Sequence, residues 1–313
     1  MQGDCRADRL KLHELRILLQ VAQAGSMAKA AAQLAISEPA VSRAISDMEH
    51  TLGVSLLDRS SKGAEPTPYG RALIKRGVAV FDELLQGIKD IESIADPTGG
   101  EVRIGATSTI AEVGIVVAVI DRISRQYPHV SFHVEAATPP MLFHELRERK
   151  LDLIILLTFD HPVTDDDIVS EALYEDRIVV VAAANHPLTR RRRIELADLV
   201  NENWTLPDSG HPVAKIVAEG FRANGLEAPR VTVTTAPCRL RDTLLTTGRF
   251  LTVAQESALH FTPLSALKVL PVELPGGRGT TRIMTLKNRA LSPVAQLFIE
   301  HAQEVATLLA KRQ

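Results

Sequence analysis

The sequence predicts a chain in three parts: a small N-terminal unit built on short helices, one long helix, and a large region where strands and helices alternate. Three observations carry that reading. Residues 26–52 hold two short helical patterns separated by a tight turn. Residues 68–95 repeat apolar side chains at alternating steps of three and four. After a break at residues 96–100 the period changes, and short apolar runs alternate with amphipathic stretches, the pattern of an α/β domain. A chain of 313 residues can hold two or three domains, each with its own core.

The N-terminal elements follow in order. Residues 9–24 read as a first helix with Leu12, Leu15, Leu18, Leu19 and Ala22 as its stripe and Gly25 as its stop. Ser26 is placed to cap a second helix, residues 27–35, whose Ala28, Ala31, Leu34 and Ala35 allow close approach of another helix. Ser37 is placed to cap a third, with Pro39 in its first turn, where a missing N–H is harmless. Val41, Ile45, Met48 and Leu52 make its apolar stripe, and Glu38, Ser42, Arg43 and Ser46 its polar face. This is the pattern of a helix-turn-helix, whose second helix enters the major groove of DNA. An ordinary helical hairpin in a core has the same spacing.

Ser37-Glu38-Pro39-Ala40-Val41-Ser42-Arg43-Ala44-Ile45, then Met48-Glu49, Leu52-Gly53, Leu56-Leu57-Asp58-Arg59 and Pro66-Thr67-Pro68-Tyr69-Gly70, resemble the LysR-type transcriptional regulators. The resemblance extends over nearly the whole chain and favours the helix-turn-helix. It implies an α+α/β fold. A winged helix-turn-helix DNA-binding domain would span residues 9–67, with residues 53–67 as the wing. A linker and dimerisation helix would span 68–95, and a hinge 96–100. An effector-binding and oligomerisation domain of two periplasmic-binding-protein-like α/β lobes would span 101–313. It also implies that Ser37, Pro39, Ser42, Arg43, Ser46 and Glu38 face the major groove, while Arg59 and Thr67 hold the backbone or minor groove. For Arg59 the bland alternative is an ion pair with a neighbouring acid.

Two residues depart from the family pattern, which usually has Gln at position 38 and Phe at position 57. Gln reads an adenine edge, whereas the Glu38 carboxylate can only accept, for example from cytosine N4. Glu38 equally suits the positive end of a helix.

Net charge is −2, so a DNA-binding surface requires segregation of basic from acidic side chains. Arg59, Lys62, Arg71, Lys75 and Arg76 against Asp58 and Glu65 supply it locally, with Asp47 and Glu49 turned elsewhere. The N-terminal stretch has no apolar signal-peptide core, and no run is long enough to cross a bilayer, so a cytoplasmic protein without a membrane partner is expected. Cys5 and Cys238 lie far apart and form no ligand pattern, so neither a disulfide nor a metal site is expected.

Thr67 and Pro68 open the long helix, where Ile74, Gly77, Phe81, Leu84, Ile88, Ile91 and Ala95 form a heptad seam with Gly77 as its weak point. Such a seam needs a partner. A second copy of the chain is preferred over the chain's own C-terminal region, with Phe81, Leu84, Ile88 and Ile91 as the dimer contacts. The family implies a homodimer or homotetramer acting on double-stranded promoter DNA, with RNA polymerase as a further partner.

From residue 101 the expected strands are 102–105, 130–136, 151–157, 177–183, 204–206, 231–234, 250–253, 268–272 and 282–287. The expected helices are 111–127, 140–149, 195–200, 213–224, 239–246 and 293–311. The apolar run 151–157 suits a parallel sheet covered on both faces.

A search for catalytic constellations finds no G-x-S-x-G, P-loop or H-E-x-x-H, and the histidines do not pair at ligand spacing. Asp165-Asp166-Asp167 and the run 190–193 read as solvated surface. No enzyme, cofactor or metal is expected. A solute-binding transport protein is disfavoured by the missing leader and the N-terminal helices, and an α/β enzyme by the missing catalytic set. In α/β sheets ligands sit at strand ends near helix N-termini. Thr107, Ser108, Thr138 and Ser209 stand in such loops, and the first three match the family's effector-contacting positions. Helix capping is their alternative role. Arg239 or Arg249 is a candidate to balance a carboxylate. Residues 244–252 resemble the branch of the family that includes regulators of sugar uptake and protocatechuate breakdown, which would make the small-molecule effector a sugar or a catabolic acid.

Overall fold

The computed structural model describes residues 9–60, 63–112, 114–159, 165–235, 238–261 and 267–310, so Cys5, Lys62 and His161 lie outside the described residues. The chain divides into two compact units, one ending at Ile88 and the other starting at Lys89.

The first unit is built from helices α1 (Leu12–Ala24), α2 (Met27–Leu34) and α3 (Glu38–Leu52), the hairpin β1 (Leu57–Ser60) and β2 (Gly63–Pro66), and the start of α4 (Pro68–Ala95). α1 begins at Leu12 rather than at residue 9, and its buried face is Glu14, Ile17, Leu18 and Val21. The leucine stripe expected from sequence is out of phase: Leu12 is 49% exposed, and Leu15 lies against Gly77 of α4 instead. Glu14 tolerates burial because Lys11 donates to its carboxylate at 2.9 Å. In α2 the buried alanines are Ala30 and Ala31, not Ala28 or Ala35; Ala35 is the left-handed cap residue. Ser26 occupies the N-cap, but its hydroxyl accepts no capping hydrogen bond. α3 meets expectation more closely. Ser37 accepts from the Ala40 N–H, Pro39 sits in the first turn, and Val41, Ile45 and Met48 are buried.

The second unit holds β3 (Gly99–Ala106), α5 (Ser108–Glu112), α6 (Ile115–Gln126), β4 (His129–Ala136), α7 (Pro139–Arg147), β5 (Leu153–Phe159), β6 (Ile168–Ala183), β7 (Trp204–Leu206), α8 (Pro212–Ala223), β8 (Val231–Thr234), α9 (Cys238–Thr246), β9 (Leu251–Gln255), α10 (Ala258–Phe261), β10 (Leu267–Val269), β11 (Arg278–Leu286) and α11 (Pro293–Ala310). Gly99 and Gly100 belong to β3, which leaves only the turn at Asp96–Thr98 of the expected hinge. The expected single helix 111–127 is two, broken at Gly114 (φ +155°), a backbone shape glycine adopts without strain.

The main sheet runs β4-β3-β5-β11-β6-β9-β7-β8, with β10 also on β6. β5 pairs parallel with β3 but antiparallel with β11, so its apolar run is explained by burial on both faces within a mixed sheet. Two lobes form because β6 changes partner. Its Ile168–Arg177 half pairs with β11, and its Ile178–Ala182 half pairs with β9. The first lobe packs α6 and α11 on the sheet around Val102, Ile104, Ile123 and Phe298. The second centres on Trp204, whose ring meets Phe221 edge-on at 5.9 Å and whose Nε1–H donates to the Leu199 carbonyl at 2.9 Å. Complete burial of an Ile, Leu or Phe contributes about 1.5–3 kcal/mol, so these two clusters hold the lobes.

Asp176 sits where β6 changes partner and is 5% exposed. Its Oδ1 accepts from the Arg177 and Ser257 N–H groups, and its Oδ2 from the Ser257 hydroxyl at 2.6 Å. Burial raises its pKa above the usual 3.8, more than these bonds lower it. An amide can keep the three contacts without the buried charge. Asp176→Asn is therefore expected to match or exceed wild-type stability at pH 7, while Asp176→Ala loses about 1–3 kcal/mol by leaving the donors unpaired. The sign follows from linkage: the folded state binds this proton more tightly than the unfolded chain, so the wild-type penalty fades as pH falls through the folded pKa. Urea denaturation at pH 7 and pH 5 measures both differences. An Asp176→Asn variant as unstable as Asp176→Ala would show that the charge itself is needed.

Candidate functional site

The exposed face of α3 in its first turns carries Ser37, Glu38, Pro39, Arg43 and Ser46, with Ser42 half-buried beside them. Arg43 has no side-chain partner among the described residues and is exposed. The hairpin lies next to this face for reasons visible in the sequence. Glu49 on α3 accepts from the Leu56 and Leu57 N–H groups at 2.7 and 3.3 Å, which fixes where β1 begins. At the other edge Ala64 N–H donates to the Gly25 carbonyl at 3.0 Å, and a Cβ at Gly63 would stand 2.4 Å from that oxygen. Arg59 on β1 reaches both Ser42 Oγ (3.4 Å) and Glu49 Oε2 (3.6 Å). The ion pair and the position beside α3 thus hold together: Arg59 keeps 44% exposure and stands between hairpin and helix.

Charge segregates across the hairpin. Strand alternation puts Arg59 on the side of buried Leu57 and Ala64, while Asp58 and Glu65 are direct cross-strand partners on the other side. Thr67 leaves the candidate DNA face. It is 6% exposed, its hydroxyl accepts from Gly70 N–H at 3.0 Å and donates to the Ser55 carbonyl at 2.7 Å, so it joins hairpin to α4.

On α4 the heptad seam divides. Gly77 is buried against Leu15, so the upper seam belongs to the first unit's own core. Leu84, Ile88 and Ile91 are 48%, 52% and 68% exposed, and Phe81 is half-buried.

The lobes enclose a cavity of about 280 Å³. Thr107, Ser108 and Thr138 line it; Ser209 does not, and stands exposed in the turn where Asp208 accepts from Gly210 N–H. Thr138 holds the N-cap position of α7, yet its hydroxyl makes no capping bond. His211, Thr235, Arg241 and Gln255 also line the cavity. Of the two arginines suspected from sequence neither lines it: Arg239 is exposed, and Arg249 lies over the Phe250 ring at 5.8 Å. His211 Nδ1 accepts from Val213 N–H at 3.3 Å. Burial lowers the imidazole pKa below 6.5, against a smaller opposing pull from Asp208, so the ring is neutral at pH 7. A larger cavity of about 400 Å³ beside β10 is less suited to a charged ligand, because its arginines Arg177 and Arg278 already face Glu256 and Glu273. No group of metal-ligating side chains forms among the described residues, and no described helix is long and apolar enough to cross a membrane. Asp165 and Asp167 pair with Arg147.

Residues 12–71 match the family described as bacterial regulatory helix-turn-helix protein, lysR family, and residues 95–307 match the LysR substrate binding domain. The chain is 29% identical over 290 residues to the HTH-type transcriptional regulator GbpR of Azospirillum brasilense, covering 92% of this chain and 84% of that one. It is 27% identical over 292 residues to the transcriptional dual regulator GltC of Bacillus subtilis, covering 93% and 96%. Among solved structures, a full-length single-residue variant of OxyR from Pseudomonas aeruginosa shares the fold with a TM-score of 0.64 at 23% identity, over 94% of this chain and 98% of that one. CbnR, a LysR family transcriptional regulator, shares it with a TM-score of 0.53 at 20% identity, over 93% and 99%.

Proposed function

Because the chain belongs to the LysR family of bacterial transcription regulators, we propose that the exposed face of α3 reads operator bases and that the inter-lobe cavity holds the effector that controls it. The protein is a DNA-binding regulator with a small-molecule domain, and its relatives are regulators rather than enzymes. The observation that carries the residue-level reading is Arg43: an exposed guanidinium, free of protein partners among the described residues, at the front of a capped helix. Arg43 pairs with guanine O6 and N7, and Glu38 accepts from a cytosine amino group on the same face. Ser37, Pro39, Ser42 and Ser46 fit the helix to the groove. Arg59 holds the phosphate backbone or the minor groove beside it. Thr67 acts one step back, by fixing the hairpin on α4.

The exposed lower seam of α4, Leu84, Ile88 and Ile91 with Phe81, joins two copies, and a two-fold pair of heads matches a two-fold operator. That homodimer is the minimal assembly, and a homotetramer its doubling. The effector shifts the balance between two arrangements of the heads, which requires that it bind one of them better. The regulator works in the cytoplasm, at promoters, through RNA polymerase.

Selection of genomic DNA fragments by the purified protein at two salt concentrations tests this reading, since specific binding outlasts the salt that abolishes phosphate attraction. On the enriched fragment, Arg43→Ala is expected to weaken binding by about 1–3 kcal/mol while leaving binding to unrelated DNA nearly unchanged. Anisotropy titrations measure both, with circular dichroism to check the fold. Equal losses on both DNAs would reduce Arg43 to a phosphate contact, and no loss would remove it from the interface.

A further inference from the structure

We infer that the effector of the inter-lobe cavity is a small organic monoanion, a monocarboxylate with an apolar body, held by Arg241 and sorted by Gln255. This rests on the reading of that cavity as the effector site.

The first observation is the charge of the lining. Arg241 is its one always-charged side chain among the described residues, and no described carboxylate lines it. The Arg241 side chain is 16% exposed, and among the described residues its only partner is Asp242, which takes Nε at 3.3 Å. The two outer nitrogens remain for a ligand, and a guanidinium fork matches a planar carboxylate. Asp242 is 40% exposed, so solvent screens it and it neutralises Arg241 only in part.

Two of the longer helices at the cavity offer an anion little backbone. The start of α5 brings Thr107, Ser108 and Thr109 to the cavity on a single short helix, whereas α7 and α8 begin there with proline: Pro139 and Pro140 in α7, Pro212 in α8. Those residues have no N–H, and the Val213 N–H is taken by His211. Recognition of charge therefore centres on Arg241, the one full positive charge in the described lining.

The second observation is independent. Gln255 is 7% exposed and lines the cavity, and its amide has no side-chain partner among the described residues. A buried amide in that state is completed by a ligand or by water. It supplies one donor and one acceptor for a single carbonyl or hydroxyl. Leu157, Phe159, Ile178 and Val253 make an apolar stretch of the wall, beside the hydroxyls of Thr107, Ser108, Thr109, Thr138 and Thr235. A neutral hexose would leave the Arg241 charge uncompensated, and a dicarboxylate would bring a second charge with His211 neutral and no other described cation to meet it. The volume, about 280 Å³, is below the usual range for drug-sized ligands.

The test uses the full-length protein in calorimetric titration and thermal-shift assays. The probes are benzoate, butanoate and 2-oxobutanoate, the neutral benzamide, the dicarboxylates succinate and phthalate, and the hexoses glucose and galactose. At least one monocarboxylate is expected to bind, and benzamide and the hexoses are not. Arg241→Gln should weaken that binding by about 10- to 100-fold, the loss typical of one charge-assisted contact. Arg241→Lys should fall between, and Arg222→Gln, an exposed charge on α8, should change nothing. Gln255→Leu should reduce the preference for 2-oxobutanoate over butanoate. Thr138→Trp fills the cavity from a position whose hydroxyl makes no capping bond and should abolish binding of any probe. Hexose binding that is lost in Thr138→Trp but indifferent to Arg241→Gln keeps the cavity and overturns the anion. Binding that survives Thr138→Trp overturns the cavity reading itself. A panel without a single bound monocarboxylate overturns the inference.

Discussion

Gly70→Ala is expected to cost the DNA-binding unit about 3 kcal/mol, the upper end for forced overpacking, and with it operator binding at physiological temperature. Gly70 lies in the first turn of α4, where a Cβ would stand 2.1 Å from the Leu56 carbonyl oxygen and 3.1 Å from its carbon. That carbonyl cannot retreat freely, because it accepts the Thr67 N–H at 3.0 Å. Leu56 and Leu57 are in turn held by Glu49, so the displacement travels into the hairpin and α3. Helix propensity alone predicts the opposite sign, a gain of about 0.5–1 kcal/mol for glycine to alanine. Gly87→Ala in the same helix is the control: nothing lies within 4 Å of its added Cβ, so the propensity gain should appear there. Thermal unfolding of the two variants, with gel shifts on the selected operator, separates the effects. Two alanine variants with the same stability would mean that α4 and the hairpin do not pack as closely as described.

Ile88→Asp combined with Ile91→Asp should abolish dimerisation and lower the affinity for a full two-half-site operator by about 10²- to 10⁴-fold, the advantage lost when two linked sites become independent. These side chains are 52% and 68% exposed in the single chain, so the charges cost the monomer little. In a paired seam they would be buried facing their own copies. Sedimentation measures assembly, and binding to a single half-site supplies the control, since it should change little. A double variant that remains dimeric would place the interface elsewhere.

Legibility from sequence followed the range of the forces involved. The stripe Val41, Ile45, Met48 and the Ser37–Pro39 start of α3 are local signals, and they sit where the spacing puts them. The phase of α1 is not local. Four leucines and an alanine define one stripe, but the packing selects Ile17, Leu18 and Val21 beside a neutralised Glu14. The first half of β6, residues 168–176, escaped notice because its pattern mixes Ser, Glu and Asp with apolar residues. Its burial comes from β11, more than a hundred residues later. The cavity divides the same way. Thr107, Ser108 and Thr138 follow strands in order along the chain, so position alone finds them. Arg241 was missed in favour of Arg239 because which face of α9 turns inward is decided by the lobes, not by the helix. Gln255 carried no sequence signal; only its burial without a side-chain partner singles it out.

The place of β11 bears on how the protein is made. β11 lies between β5 and β6 in the first lobe's sheet, and α11 adds Phe298 to that lobe's core, yet both are translated after the whole of the second lobe. Of the two lobes, the first is thus the earlier to begin leaving the ribosome and the later to close. A nascent chain that ends at residue 277 has β5 and β6 without the strand that joins them, two open backbone edges of the kind that recruit other chains. The second lobe, by contrast, is complete in sequence from Ile178 to Leu274. Synthesis therefore yields a finished inner module inside an unfinished outer one, and the regulator gains its ligand-binding form only once β11 and α11 have been delivered.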